Sequence, residues 1–376
     1  MDGGGELILR QVARLARPHA ELDLALLWGD AAAASIDAPF DEVRTLGFPA
    51  NLRAGTAFAH QRAMRDFQRW IDERRIDALL AFSFPIAVRA ARIAARNALP
   101  MAWFWQQSFP LFHSRLAGAK QRASIRLLRR ADCHIVSPTR EGIDQFAGLR
   151  HPARRLHLIR NGVDVGHFAP TATPAADKGT LRSRLGIPDV DLVVACVARL
   201  DPAKGHDTLL EATGLAARSG VSVALLCIGA DPERGGSYGE TLQRRVASLG
   251  LEERVIWAGH QADVRPWLQA ADAAALTSHE ECAPLALAEA GAAGLPLIGT
   301  RVGGIPEIVR AGETGLLVEP RDAADCAAAF GELARDAALR RRLAAGALAA
   351  VRKDFDSATT HEQWSQLIEA LLDSTR

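Results

Sequence analysis

Nowhere in this 376-residue chain does an apolar run approach the ~20 residues that a membrane-spanning helix needs, because charges interrupt every candidate. Paired cysteines are missing too. Cys133, Cys196, Cys227, Cys282 and Cys326 are odd in number and scattered, which argues against a disulfide framework or a zinc site and suits a reducing compartment. The start, MDGGGELILRQVAR, has neither a basic stretch followed by an apolar run nor a small-residue cleavage site. A cytosolic protein is therefore expected. No repeat recurs at a short period. Net charge is also scarce, at +1 overall, and no nucleic-acid partner is expected.

That near-neutrality conceals an asymmetry. Residues 1–165 hold 24 Lys/Arg against 16 Asp/Glu, and the remainder holds 21 against 28. A basic front half and an acidic back half suggest that two different kinds of ligand are handled. Apolar residues at 48% and charged residues at 24% give the balance of a soluble globular protein, and the length fits two domains rather than one core.

Short β-rich runs alternate with helical patterns throughout. The front half has LDLALLW (22–28), IDALLAF (76–82), LPMAWFW (99–105), ADCHIVS (131–137) and LHLIR (156–160). The back half has DLVVACVA (191–198), VSVALLCIG (221–229), RVIWAG (254–259), DAAALT (272–277) and PLIGT (296–300). Each run is largely continuous rather than alternating, as expected of parallel strands covered on both faces. Helical stretches such as 203–218, 239–249 and 337–352 lie between them. The pattern predicts an α/β protein of two doubly wound parallel-sheet domains, with APTATPAADKGT (169–180) as a linker. Ligands of such sheets sit beyond the carboxyl ends of the strands, so a cleft between two facing domains is the expected place for chemistry. GGGE (3–6) looks like the turn that should follow a strand, yet no strand precedes it here.

Within HEECAPLALAEAGAAGLPLIG (279–299), Pro284 favours a helix start and Gly294 a helix end, which places a helix over roughly 284–293. Two acids eight residues apart lie ~80° apart on a helix. Glu281 and Glu289 can therefore converge only if Glu281 sits in a loop curling over the helix start. That layout suits an anion attached to a polyol. Equally, Glu281 can be a solvated loop residue and Glu289 an acid favoured by the helix dipole. VARLDPAKGHDTLLEA (197–212) leaves a strand, turns through Pro202, and presents Arg199 and Lys204 before a helix. Two cations at such a turn suit a diphosphate, or are surface charges at a loop. The Gly-x4-Gly-Lys-Ser/Thr spacing of a Walker loop is absent. DVD (189–191) precedes a strand instead of ending one, a poor position for a metal-holding Asp pair. RNGVDVGHF (160–168) adds a turn and RVGGIPEIV (301–309) a Gly-Gly loop before a helix.

In order, LIRNGVD, VARLDPAKG, LLCIGADPE, RVIWAGHQADV, the Glu281-to-Glu289 spacing, AGLPLIGTRVGGIPEIV and GETGLLVEP resemble the retaining glycosyltransferases of family 4. The resemblance is strong over 156–355 and weaker before it. It implies the GT-B fold, two facing Rossmann-like domains with an interdomain cleft. The N-terminal acceptor-side domain would span 1–165 and the nucleotide-sugar domain 166–358, with a terminal helix over 359–376 packing back on the first. It further implies that Arg199 and Lys204 clamp the donor diphosphate, that Glu289 binds the ribose hydroxyls, and that Glu281 faces the donor sugar. The N–H groups of Ala283 and Leu285 would bind sugar or phosphate on either side of Pro284. Gly3, Gly4 and Gly5 match the loop that closes over sugar and acceptor.

In LPMAWFWQQSFPLFHS (99–114) the family often has a catalytically important His where Gln106 and Gln107 stand. Gln106 is the expected positioning residue, since Gln can hydrogen-bond a hydroxyl but cannot shuttle a proton; His113 is the alternative. Trp103, Phe104, Trp105, Phe109 and Phe112 are core residues or, beyond the strand end, stacking platforms for an acceptor sugar. SRLAGAKQRASIRLLRR (114–130) makes a basic amphipathic helix that suits either an anionic membrane or an ordinary packing face. The expected activity is transfer of a hexose-type sugar, without metal or cofactor, from a UDP-sugar to a glycan or glycolipid of the cell surface. A soluble small acceptor is the alternative, and a sugar-nucleotide epimerase a more distant one.

Overall fold

The computed structural model describes residues 9, 12–18, 21–26, 40–46, 48, 57–82, 84–105, 115–170, 175–231 and 237–374. Gly3, Gly4, Gly5, Gln106, Gln107, Phe109, Phe112 and His113 lie outside them, as does the question of a strand before Gly3. The chain divides into two compact units, crossing between Ile159 and Arg160 and returning between Thr359 and Thr360.

The front unit holds a two-stranded sheet, β1 (Asp23–Leu26) and β2 (Glu42–Thr45), and a four-stranded one. The latter comprises β3 (Leu79–Ala81), β4 (Met101–Phe104), β5 (His134–Ser137) and β6 (Leu156–Leu158), in that order. Every pairing is parallel. β4 and β5 are buried at all four positions, which explains their unbroken apolar runs. Trp103, Phe104 and Trp105 are core, with Trp103, Trp105 and Phe146 meeting edge to face at 5.0–5.5 Å. The terminal helix Ser357–Asp373 joins this unit's core, where Trp364 meets Phe104 at 5.6 Å beside Ile159 and Val136.

Helix Arg115–Arg130 buries Ile125 and Leu128 and exposes Arg126, Arg129 and Arg130. Among the described side chains of this helix, those two apolar residues are spent on the core and the exposed large ones are arginines. At the start of β5, the His134 and His157 rings stack at 4.9 Å with facing nitrogens 2.7 Å apart. Burial, together with the nearby Arg155 guanidinium, pushes His134 down to about 4.

The rear unit carries one six-stranded parallel sheet: β7 (Leu192–Val197), β8 (Val223–Ile228), β9 (Val255–Gly259), β10 (Ala273–Leu276), β11 (Leu297–Thr300) and β12 (Gly315–Val318). Their order is β12-β11-β10-β7-β8-β9. Both units are Rossmann-like, with helices between successive strands of the four-stranded and six-stranded parallel sheets.

Three sequence-based expectations need correction. The presumed linker 169–180 lies inside the rear unit, and Ala175–Arg184 is a helix. Lys178 and Arg182 of that helix reach the Asp272 carboxylate at 3.0 and 2.7 Å, so its Ala, Thr and Pro content misleads about tertiary anchoring. The boundary falls at 159/160 rather than 165/166, because Val163 pairs with Phe355 and Ser357 of the rear unit's last segment. β2 and β12 were missed: EVRT is too polar, and GLLV too short, to stand out by periodicity.

The five cysteines are free, and only Cys282 is partly exposed. No described helix is long and apolar enough to cross a membrane.

Candidate functional site

The rear sheet reverses its winding between β7 and β10, with β8 and β9 to one side and β11 and β12 to the other. Groups beyond the carboxyl ends of these two strands share the crevice that such a reversal opens. After β7 the chain runs on beside β8, with the N–H of Ala198 donating to Ile228 O and that of Leu200 to Ala230 O. This close approach requires glycine at 229, where a Cβ would lie 1.9 Å from the Ala198 carbonyl oxygen. The turn that follows is capped from within, as Asp201 accepts from the Ala203 N–H at 2.9 Å and starts a short 3-10 turn over Pro202–Lys204. Gly205 ends it at φ +68°, with the Thr277 carbonyl oxygen 2.0 Å from where a Cβ would be. No other residue fits there.

The loop after β10 is bonded directly to that turn. Thr277 Oγ1 donates to Gly205 O at 2.7 Å, and the His279 N–H donates to Ala203 O at 2.8 Å. Loops separated by about 75 residues are thereby held in one register. Within it, Lys204 Nζ donates to Glu281 Oε2 at 2.6 Å, the side chains being only 21% and 12% exposed. Glu281 also accepts from Ser278 Oγ at 3.4 Å and from the Cys282 N–H at 3.1 Å. Arg199 is less enclosed and pairs with Asp201 at 3.3 Å.

Glu281 lies in a loop ahead of the helix Leu285–Ala292, the placement that the eight-residue spacing demanded. The loop is held from both sides, by Asn161 Nδ2 donating to Ala283 O at 3.1 Å and by the Gly304 N–H donating to Cys282 O at 2.6 Å. Pro284, the N-cap, provides no side-chain acceptor, and the N–H groups of Ala283 and Leu285 find no partner among the described residues. Two unsatisfied donors at a helix start favour an anion.

Glu289 sits on the same helix, between residues fully committed to the core. Its carboxylate has neither a hydrogen-bond nor an ionic partner among the described residues. Burial pushes it from an ordinary 4.5 up to about 7. A desolvated acceptor without a donor is what paired hydroxyl groups would satisfy.

The structure therefore brings Arg199, Lys204, Glu281, Ala283, Pro284 and Leu285 to one end of the rear sheet, with Glu289 further along the helix that starts there. It couples Lys204 to Glu281 directly, where the sequence reading gave them separate tasks. Asp191 of the DVD segment lies at the opposite end of β7, holding the Ser222 N–H and hydroxyl at 2.7 and 2.8 Å. Sequence reasoning missed Asn161, Asp201, Thr277 and His279. The capping role of Asp201 was legible from the following Pro202, but the partners of the other three lie 72 to 122 residues away and leave no local signal. Arg160 and Glu307, from two of the quoted motifs, pair at 2.5 Å in the same unit, with Arg160 over the Phe355 ring. A groove of about 620 Å³ between helices His206–Arg218 and Ser237–Leu249 is lined by none of the candidate residues.

Comparison with known proteins bears on this arrangement. The family model for glycosyl transferases group 1 matches residues 177–349, and that for a glycosyl transferase 4-like domain matches 2–162. The D-inositol 3-phosphate glycosyltransferase of Nocardioides sp. is 34% identical over 210 residues, 53% of this chain and 45% of that protein. The GDP-mannose-dependent alpha-(1-6)-phosphatidylinositol monomannoside mannosyltransferase of Mycolicibacterium smegmatis is 34% identical over 60% of this chain and 59% of its own length. The aligned part thus spans about half of these curated relatives. Among solved structures, Anabaena Alr3699/HepE in complex with UDP superposes with a TM-score of 0.81 at 23% identity, covering 98% of this chain and 96% of that one. Sucrose-phosphate synthase from Thermosynechococcus elongatus gives 0.75 at 22% identity, covering 99% and 94%. At that identity the likeness speaks to the fold.

Proposed function

Because the chain belongs to the glycosyl transferases group 1, the family-4 glycosyltransferases, we propose that it moves a hexose-type sugar from a nucleoside-diphosphate donor to an acceptor hydroxyl with retention of configuration. The observation that carries this reading is the rear-sheet reversal, where two cations, a bare helix start and the Glu281 carboxylate meet, with Glu289 further along the same helix. Breaking a sugar–phosphate bond leaves a diphosphate anion and an oxocarbenium-like sugar. Arg199, Lys204 and the N–H groups of Ala283 and Leu285 supply fixed positive charge for the anion, where preorganised groups are most effective. No metal ion need share that task. Glu289 takes the ribose hydroxyls and Glu281 the hydroxyls of the donor sugar. The departing phosphate takes the acceptor's proton, so no protein nucleophile is needed and orientation carries much of the rest.

UDP is the first choice of nucleotide, supported by the fold shared with a UDP-bound structure. GDP stands second, supported by the GDP-mannose-dependent relative. A thermal-shift screen of nucleoside diphosphates and their sugars tests the donor. Ligand at a hundred times its Kd should stabilise the chain by about 2.7 kcal/mol, and no shift with any nucleotide would count against the reading. Release of free nucleoside diphosphate only when acceptor is supplied separates a transferase from an epimerase.

A glycan or glycolipid of the cell surface is the proposed acceptor, met at the inner face of the membrane. The exposed Arg126, Arg129 and Arg130 support it, and the burial of Ile125 and Leu128 favours an electrostatic contact. Co-sedimentation with vesicles rich in anionic lipid should be lost at high salt and when the three arginines are changed to Gln. Binding indifferent to both would remove the membrane from the account. The inositol-phosphate relatives favour a second reading, a soluble small acceptor.

A further inference from the structure

Lys204 is asked to do two things at once. It holds Glu281 at 2.6 Å in a setting where both side chains are largely enclosed, and under the proposed function it also meets the donor diphosphate. Any diphosphate reaching Lys204 therefore brings its negative charge close to the Glu281 carboxylate. Like charges at such separations repel substantially in a partly desolvated site. Among the described residues, the two groups that support Glu281 apart from Lys204 are weak or local: Ser278 Oγ at 3.4 Å and the adjoining Cys282 N–H at 3.1 Å. Neither can replace a shared ammonium.

An intact sugar nucleotide offers compensation, because sugar hydroxyls can donate to Glu281 as Lys204 turns toward phosphate. A free nucleoside diphosphate offers none and carries more charge. We infer that Glu281, through the ammonium it shares with Lys204, makes the site discriminate against free nucleoside diphosphate in favour of the intact donor. The inference rests on the glycosyltransferase reading. Its consequence is kinetic as well as thermodynamic. Once the sugar has left, Glu281 reclaims Lys204 and expels the diphosphate, so product inhibition stays weak.

Calorimetric titration of the full chain with UDP, GDP, UDP-glucose and GDP-mannose tests this, comparing the wild type with Glu281→Gln. Glutamine keeps the shape and removes the charge. The variant should bind the free diphosphate about tenfold more tightly and the sugar nucleotide no more tightly than before, so that the preference for intact donor collapses. Unchanged or weakened diphosphate binding in the variant would overturn the inference while leaving the glycosyltransferase reading intact. If none of the four binds the wild type, that reading itself falls, and the inference with it. If the variant does not fold, the wild type is titrated with the ethyl ester of the nucleoside diphosphate, which has the charge of the sugar nucleotide but none of the donor-sugar hydroxyls. It should bind about tenfold more weakly than the sugar nucleotide, and equal affinity would sink the proposal.

Discussion

Replacing Lys204 by alanine should cut turnover by about a hundred- to a thousandfold, the range seen when one preorganised group facing developing charge is removed. The residue closes a turn whose shape depends on Asp201, Pro202 and Gly205 rather than on its own side chain, so the backbone should persist. Removal of the ammonium does leave Glu281 largely enclosed with only Ser278 and Cys282 as partners among the described residues. A loss of about 1–3 kcal/mol of stability is the expected cost of that stranded charge. Activity, measured as acceptor-dependent release of nucleoside diphosphate in the presence of EDTA, should collapse while thermal unfolding stays cooperative. Near-normal turnover would remove Lys204 from the leaving-group site. Wild-type activity abolished by EDTA would show that a divalent ion shares its role.

The second large effect concerns Glu289 and runs opposite to the usual carboxylate. Its folded-state value near 7 lies above the ordinary 4.5, so between those pH values the folded chain binds more protons than the unfolded one. Stability must then fall as pH rises through this window, by about 3 kcal/mol in total, and level off above it. Glu289→Gln has no such loss. The variant should match the wild type near pH 4, below the unfolded value, and melt higher at pH 8, by on the order of 5–10 °C for a unit of this size. The buried histidines of the front unit, such as His134, are depressed and lose stability as pH falls, but they are common to both proteins and cancel in the difference. A pH-independent difference would mean that Glu289 is not held protonated by burial. Glu289→Ala should in addition abolish the preference for a ribonucleotide over its 2′-deoxy analogue, a difference of about tenfold or more. Unchanged discrimination would count against the ribose assignment. The two readouts together describe a trade in which a carboxylate destabilises the fold at neutral pH because binding requires it there.

Much of this site is legible in the sequence. Arg199 and Lys204 stand just past an apolar run and before a helix, so their place at a strand's carboxyl end follows from local pattern. The position of Glu281 outside the helix followed from 3.6-residue geometry and from Pro284. What was illegible is contact across distance. Helix Ala175–Arg184 looked like a linker because its anchor, Asp272, lies more than 85 residues further on. Asn161 looked like an ordinary turn residue because the carbonyl it holds belongs to Ala283.

By itself, then, the order of residues determined two parallel α/β units, the strand ends at which charge collects, and the helix that Glu289 occupies. These depend on apolar periodicity and turn chemistry, which act over a few residues. Only the tertiary structure decided that Lys204 and Glu281 share a proton-bearing contact and that Glu289 has no partner among the described residues. Such pairings depend on β7 lying beside β10 in the sheet order, and neighbouring strands there are about 80 residues apart in the chain.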